Sequence, residues 1–178
     1  MLTTKQSHNK KETIPIRKGT RPKTIRGPLH IQCDGSGDGG RFRELIAQVL
    51  RWPHVEGAPS LASSPDFISI HRKRGRSAND SAGDAGTSQF AQIYMETPTI
   101  VLILPLVAAH WAILRGWAEP HYLSLHGLMP IGTVLLYAPV DEVEREVCRY
   151  HFSRAYEFAW RSVEVNPAYP KPNSLGDS

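Results

Sequence analysis

The hydrophobic pattern is strongest in the middle of the chain. Residues 100–104 form an unbroken apolar run of the length expected of a buried strand. Pro105 suits the first turn of a helix, because its missing N–H would have no partner there. The apolar positions that follow keep a helical period until Gly116, and Pro120 prevents the helix from resuming. The pattern predicts a strand, a helix and then a polar elbow at residues 117–122.

Weaker patterns on both sides predict the remaining elements. Asp141 is a good N-cap, and Glu144 follows three residues later, as in a capping box. The predicted elements are a helix over 41–52, strands at 67–71, 90–95 and 132–137, and a closing helix from Asp141 to about Arg161. This order predicts a single α+β domain in which helices cover one face of a mostly antiparallel sheet.

Both ends of the chain and one internal stretch lack a periodic pattern. A chain of 178 residues fits one domain, which we place at residues 25–162. Residues 1–24 are polar and basic and are predicted to be a flexible tail. Residues 73–88 are a low-complexity stretch, predicted to be a mobile loop. Residues 163–178 are predicted to be a loose C-terminal tail.

The net charge of +4 comes mainly from the N-terminal tail. A basic run without interleaved aromatic residues is typical of a solvated arm, so we do not expect nucleic-acid binding. Glu12 is the one acidic residue before residue 30. The basic residues there are Lys5, Lys10, Lys11, Arg17, Lys18, Arg21, Lys23 and Arg26.

The cysteines and the hydropathy indicate in which compartment of the cell the protein is expected. Cys33 and Cys148 have neither metal-ligand spacing nor the number needed for a disulfide framework, which favours a reduced, cytoplasmic protein. The N-terminus lacks the apolar core of a secretory signal. Residues 99–114 are apolar, but the stretch is short and is interrupted by Pro105 and His110, so no stable membrane span is predicted.

Three polar side chains near the central unit are candidate catalytic residues. Tyr94 and Glu96 share one strand face, and the elbow returns His121 towards the sheet. A carboxylate beside an imidazole can serve as a base and acid pair, and Tyr94 could donate a hydrogen bond to an enolate or phenolate oxygen. The alternative is that Glu96 pairs with Arg115 or His121 only to close the sheet edge.

The central helix and the segment after it also carry candidate substrate-binding residues. The candidates are His110, Trp111, Arg115, Trp117, Tyr122 and His126. The alternatives are core packing for the tryptophans and His110, and solvent exposure for His126.

The remaining tyrosines and histidines of interest are not predicted to take part in chemistry. Tyr137 and Tyr156 are expected to be structural, with their hydroxyls at the surface. His30, His54 and His71 have no partner at a useful spacing. No His-x-x-x-His or Cys-x-x-Cys occurs, so neither a metal nor another cofactor is predicted.

Several short motifs occur together in an order known from one family. They are Gly19-Thr-Arg-Pro22, Arg43-Glu-Leu-Ile46, Trp52-Pro-His-Val55, Gly116-Trp-Ala-Glu-Pro-His121 and Leu136-Tyr-Ala-Pro139, followed by the acidic start of the last helix. With this set the chain resembles the fungal luciferase-like domain family over roughly residues 15–160. Where that family has a His-x-His pair, this chain has Tyr94-Met-Glu96, whereas the elbow histidine, His121, is retained.

The resemblance implies a compact domain and, for the luciferase, oxygen addition to a pyrone without a cofactor. Together with the polar candidates it favours a cofactor-independent enzyme of fungal secondary metabolism. Its substrate would be a small aromatic, polyketide or terpenoid-like metabolite, and its reaction a cyclisation, a rearrangement or an oxygenation. Two alternatives stay open: a non-catalytic small-molecule-binding or scaffold protein, and an oxygen-dependent luciferase-type oxygenase. The oligomeric state is not predicted.

Overall fold

The computed structural model describes residues 14–34, 39–59, 67–73 and 87–165. These residues form eight strands and four helices, in the order β1 (Thr24–Ile25), β2 (Ile31–Gln32), α1 (Gly40–Val49), β3 (Val55–Pro59), β4 (Phe67–Lys73), β5 (Thr87–Tyr94), β6 (Thr99–Ile103), α2 (Leu106–Leu114), β7 (Ala118–Pro120), α3 (Tyr122–Leu125), β8 (Thr133–Tyr137) and α4 (Glu142–Val165).

The strands form a large sheet and a small one. Six strands pair in the order β3-β4-β5-β6-β8-β7, and every neighbouring pair is antiparallel. Strands β1 and β2 pair separately as a short antiparallel ladder. The predicted class, a single α+β domain with a mostly antiparallel sheet, is confirmed.

One face of the large sheet carries the apolar core. Side chains alternate along a strand, so Ile93, Ile100 and Leu136, which lie in one cross-strand row, point to the same side. They belong to one buried cluster with Phe42 of α1 and Phe152 of α4. The helices therefore cover this face, as the sequence predicts.

The opposite face is polar at several buried positions, and the β1–β2 segment packs against it. The amide of Gln32 donates to Thr99 Oγ1 at 2.9 Å, and the amide of Ala138 donates to Gln32 Oε1 at 3.0 Å. Gln32 and Thr99 are both buried. These bonds fix β1 and β2 onto the sheet face that the helices leave free.

The N-terminal segment is joined to the domain before β1 begins. Trp117 Nε1 donates to the carbonyl oxygen of Pro15 at 2.6 Å, and the amide of Arg17 donates to that of Arg115 at 2.9 Å. The Arg17 guanidinium also forms an ion pair with Glu144 at 3.0 Å, with both side chains almost fully buried. Residues 14–24 lie within the predicted tail, and the structure packs them against the domain.

Other predicted boundaries fall partly outside the described residues. Of the predicted mobile loop at 73–88, the structure describes the ends, where β4 finishes at Lys73 and β5 starts at Thr87. Helix α4 continues to Val165, so the predicted C-terminal tail begins as helix, and residues 166–178 lie outside the described part of the chain.

Helix α2 ends where the sequence predicts. Gly116 has a φ of 79°, a left-handed conformation that glycine adopts without strain. Its amide donates to Ile113 and that of Trp117 donates to Ala112, the two bonds of a Schellman cap. The cap reverses the chain into β7, which pairs with β8. The segment predicted as a polar elbow, residues 117–122, is thus partly strand β7, and its last residue, Tyr122, begins α3.

Candidate functional site

Glu119 lies on β7 and points to the sheet face opposite the helices. Its side chain is almost fully buried. Oε1 accepts hydrogen bonds from Thr24 Oγ1 at 2.8 Å and from His30 Nε2 at 2.7 Å, and the Arg26 guanidinium lies 3.5 Å away. Oε2 accepts from the hydroxyl of Tyr137 at 3.1 Å. We call Glu119, His30, His121 and Tyr137 the carboxylate–histidine cluster.

The cluster holds a negative charge in a buried place. Burial acts to raise the pKa of Glu119, but the four hydrogen bonds that the carboxylate accepts outweigh burial and keep its pKa below the usual value. Burial, together with the neighbouring carboxylate, raises the pKa of Tyr137 to about 12. At neutral pH Glu119 is therefore ionised and Tyr137 is a protonated donor.

The contacts of His30 fix its protonation. Its Nδ1 accepts from the amide of Tyr122 at 3.1 Å, so that nitrogen carries no proton. A neutral ring then has its proton on Nε2 and donates it to Glu119. Burial lowers the pKa of His30, although the Glu119 carboxylate opposes this. Both ring nitrogens are thus occupied, and His30 holds the carboxylate in place.

His121 lies next to His30, with the ring centroids 5.1 Å apart. Its Nδ1 accepts from the amide of Leu123 at 3.3 Å and so caps α3. Burial, and then the neighbouring His30, lower the pKa of His121 to about 4. At neutral pH the ring is therefore neutral and carries its proton on Nε2. No described residue forms a hydrogen bond with that N–H.

The predicted catalytic residues Tyr94 and Glu96 lie together, but away from this cluster. The hydroxyl of Tyr94 donates to Glu96 Oε2 at 2.9 Å, and the Glu96 side chain is exposed. Tyr94 also stacks on Phe67, with a centroid distance of 5.0 Å. Glu96 therefore closes a turn with its own neighbour rather than with Arg115.

The strand register separates Glu96 from His121. Tyr94 shares a cross-strand row with Tyr137, whereas the amide of His121 bonds to Thr133 at the other end of β8. Four strand residues separate the two rows, which corresponds to about 13 Å along the strand. The expected Glu96–His121 pair is therefore not formed, and the carboxylate in the histidine's cluster is Glu119.

The predicted substrate-binding residues lie in different places. His110 and Trp111 are exposed on α2, and the Arg115 guanidinium lies 5.6 Å from the centre of the Trp111 ring. Trp117 is buried against the N-terminal segment. Helix α2 contributes to the core on the other sheet face, so these side chains do not line the cluster.

Of the six predicted binding residues, Tyr122 touches the cluster, because its amide donates to His30. Its ring lies 4.2 Å from that of His126, centroid to centroid. His126 is exposed, and its Nδ1 lies 2.8 Å from the carbonyl oxygen of Tyr122. These two rings therefore stand beside the cluster rather than in it.

Sequence reasoning missed three members of the cluster. Tyr137 was expected to place its hydroxyl at the surface; this is wrong, because the hydroxyl is buried on Glu119. His30 was expected to lack a partner, yet its partner is 89 residues away. The available signal was the alternation of Glu119 and His121, which places both side chains on one face of an extended segment.

No protein-family model, curated protein or solved structure matches this chain. The resemblance to the fungal luciferase-like domain family therefore stays a prediction from its motifs. Within the described ranges, no group of three or more His, Cys, Asp or Glu side chains is placed to hold a metal ion. No helix in those ranges is long and apolar enough to cross a membrane. The fold and the cluster define a one-domain α+β protein with a buried carboxylate–histidine network on the sheet face opposite its helices.

Proposed function

We propose that the protein is a cofactor-independent enzyme that acts on a small aromatic, polyketide or terpenoid-like metabolite. The observation that carries the proposal is the neutral His121 ring, which packs beside His30 and whose Nε2–H has no partner among the described residues. This nitrogen is not one of the fully buried unpaired atoms of the described residues, so it is accessible, and a ligand oxygen can accept its hydrogen.

In this proposal His121 donates a hydrogen bond to a carbonyl oxygen of the substrate. A neutral imidazole N–H can polarise a carbonyl and stabilise the negative charge that develops on its oxygen. The polarised carbonyl makes the adjacent C–H more acidic, and its proton passes to solvent water. The carbanion formed in this way can enter a cyclisation, a rearrangement or an oxygenation. His30 is a positioning residue, because its ring lies against that of His121, and Glu119 in turn holds His30 through its Nε2.

The test is metabolite profiling of the source organism with the gene deleted and then restored as wild type or as His121→Asn. Asparagine can keep the α3 cap but lacks the Nε2–H. We expect one intermediate to accumulate on deletion and to persist with His121→Asn. Wild type and the matched control His126→Asn should clear it. Full clearance by a folded His121→Asn protein would contradict the proposal.

A second candidate is a non-catalytic small-molecule-binding or scaffold protein. It is favoured by the complete pairing of Glu119 and His30 inside the protein, which is also the pattern of a purely structural network. This candidate predicts that the purified protein binds the accumulated intermediate without converting it. Conversion of the intermediate by the purified protein would exclude it.

A further inference from the structure

Helix α2 buries its small side chains and exposes its large ones. Ala109 and Ala112 are buried, whereas Leu106, Val107, Trp111 and Leu114 are 43% to 70% exposed. An ordinary surface helix has the reverse arrangement, with its large apolar residues against the core. The alanines let the helix approach the sheet, and they leave an apolar stripe facing outwards, in which His110 is also exposed beside Trp111.

The loop before β8 extends this stripe. A Cβ atom at Gly132 would lie 3.7 Å from a methyl carbon of Leu106, so the preceding Ile131 is next to the start of α2. Ile131 is 76% exposed. We call Leu106, Val107, Trp111, Leu114 and Ile131 the α2 surface. Contiguous exposed apolar surfaces of this kind normally meet a partner or a membrane.

The chain segment that carries the α2 surface exposes charge of one sign only. Between residues 97 and 140 Glu119 is the only acidic residue, and it is buried in the cluster on the other side of the sheet. The stripe therefore lies in a segment without an exposed carboxylate. Arg115, at the end of the helix, places its guanidinium 5.6 Å from the centre of the Trp111 ring.

The N-terminal segment brings a further cation to the same end of α2. The amide of Arg17 bonds to the carbonyl oxygen of Arg115, and Lys18 follows as an exposed side chain. Arg21 and Lys23 lie further along, towards Tyr137 and β1 on the other sheet face. Two exposed acidic residues at the start of α4 have cationic partners. Glu146 pairs with Arg149, and Glu142 shares Arg145 with Glu44.

We propose that the α2 surface docks the protein on an anionic lipid bilayer. The apolar stripe enters the boundary between headgroups and acyl chains, Trp111 lies at the interface, and the Arg115 and Lys18 side chains meet the lipid phosphates and carboxylates. Stable binding of a peripheral protein needs two such signals, one apolar and one electrostatic, and this surface has both.

The same charges favour a bilayer over a second copy of the chain as the partner. A two-fold contact with the α2 helices parallel would bring the Arg115 ends of both molecules together, where like charges oppose association. With the helices antiparallel those ends lie apart and gain nothing from the contact, whereas an anionic bilayer attracts the cations in any orientation.

The test is flotation of the full chain with phosphatidylcholine vesicles that contain or lack phosphatidylserine. We expect the wild type to float with the phosphatidylserine vesicles and to be released as salt concentration rises. The double variant Val107→Ser/Leu114→Ser should lower the partition coefficient at least about tenfold, because it removes apolar carbons from the buried stripe. Val143→Ser is the matched control, since Val143 is 66% exposed on α4 and lies outside the α2 surface.

Three results would overturn the proposal. One is a folded wild type that does not bind phosphatidylserine vesicles, and another is a double variant that binds them as the wild type does. The third is self-association in sedimentation velocity that the double variant abolishes, which would assign the α2 surface to a second copy.

Discussion

Two buried histidines show how the same side chain takes opposite roles. His30 has both ring nitrogens bonded, to Glu119 and to the amide of Tyr122, and it organises the cluster. His151 is also fully buried, but neither of its ring nitrogens has a hydrogen-bond partner among the residues that the structure describes. An unpaired buried polar group costs about 1–3 kcal/mol of folding free energy. His151 therefore weakens the apolar core beneath α4, whereas His30 stabilises the cluster on the other sheet face.

Replacing His151 by leucine should change how stability depends on pH. Burial lowers the pKa of His151 to about 4, so between this value and 6.5 the unfolded chain binds a proton that the folded chain does not. Stability must fall as the pH drops through that range, by about 2 kcal/mol at pH 5 from this residue alone. Urea unfolding at neutral pH and at pH 5 should show a smaller loss for His151→Leu than for wild type. Equal losses would contradict the account.

The members of the cluster differ in how far the sequence reveals them. His121 and its neighbour Glu119 are separated by one residue, and alternation alone puts them on one face. His30 and Tyr137 reach Glu119 only through sheet pairing and through the packing of β1 and β2. No local pattern records a contact across 89 residues, so periodicity could not have assigned His30.

At the scale of elements, the sequence correctly predicts the helices and strands that have a long hydrophobic pattern of their own. Helix α1, strand β6 and the start of α4 fall where the pattern places them, and the Asp141 cap is confirmed because its Oδ1 accepts the amide of Glu144 at 2.8 Å. Strands β3 and β7 were not predicted. Both are short, and pairing with β4 and β8 rather than their own composition makes them strands.

Gly132 is the position at which an added methyl group should disturb these elements most. Its φ is 96°, and a Cβ there would lie within 2.4 Å of the carbonyl oxygen of Leu104, a backbone atom that cannot move freely. Gly132→Ala should therefore cost several kcal/mol, roughly 3 or more, because strain and a clash combine.

Gly127→Ala is its matched control. Gly127 also has a positive φ, 70°, but nothing lies within 4 Å of an added Cβ, so only about 1–2 kcal/mol is expected. Thermal unfolding of both variants compares them directly. Equal decreases in Tm would contradict the prediction, because they would mean that the clash of the added Cβ with the Leu104 oxygen is relieved at no cost in free energy.

At the scale of the whole molecule, the N-terminal segment is part of the domain. Residues 14–24 contribute the Pro15 contact to Trp117, the buried ion pair of Arg17 with Glu144 and the Thr24 bond to Glu119. The composition of this segment is typical of a tail, because basic residues dominate it. The few residues that anchor it to the domain form no recognisable pattern. The sequence thus predicted the sheet and helices of the domain better than it predicted where the domain begins.

A chain that begins at Ile25 should be less stable than one that begins at Ile14. The shorter chain leaves Glu144 without Arg17, and removal of one partner from a buried ion pair costs about 3–5 kcal/mol. Urea midpoints of the two proteins measure the difference. The same midpoint for both would mean that these contacts do not contribute to folding.

The Glu119–His30 contact also sets an order of events for a chain that is still being made. Its two residues are 89 positions apart, and the Tyr137 bond completes the set only after β8 has been synthesised. Closing so long a loop costs entropy that local contacts do not recover, so the cluster forms late in folding. Until then Glu119 is a hydrated carboxylate on an unpaired segment. A ribosome that pauses before residue 137 would therefore hold a chain whose helices α1 and α2 can already form but whose candidate site cannot.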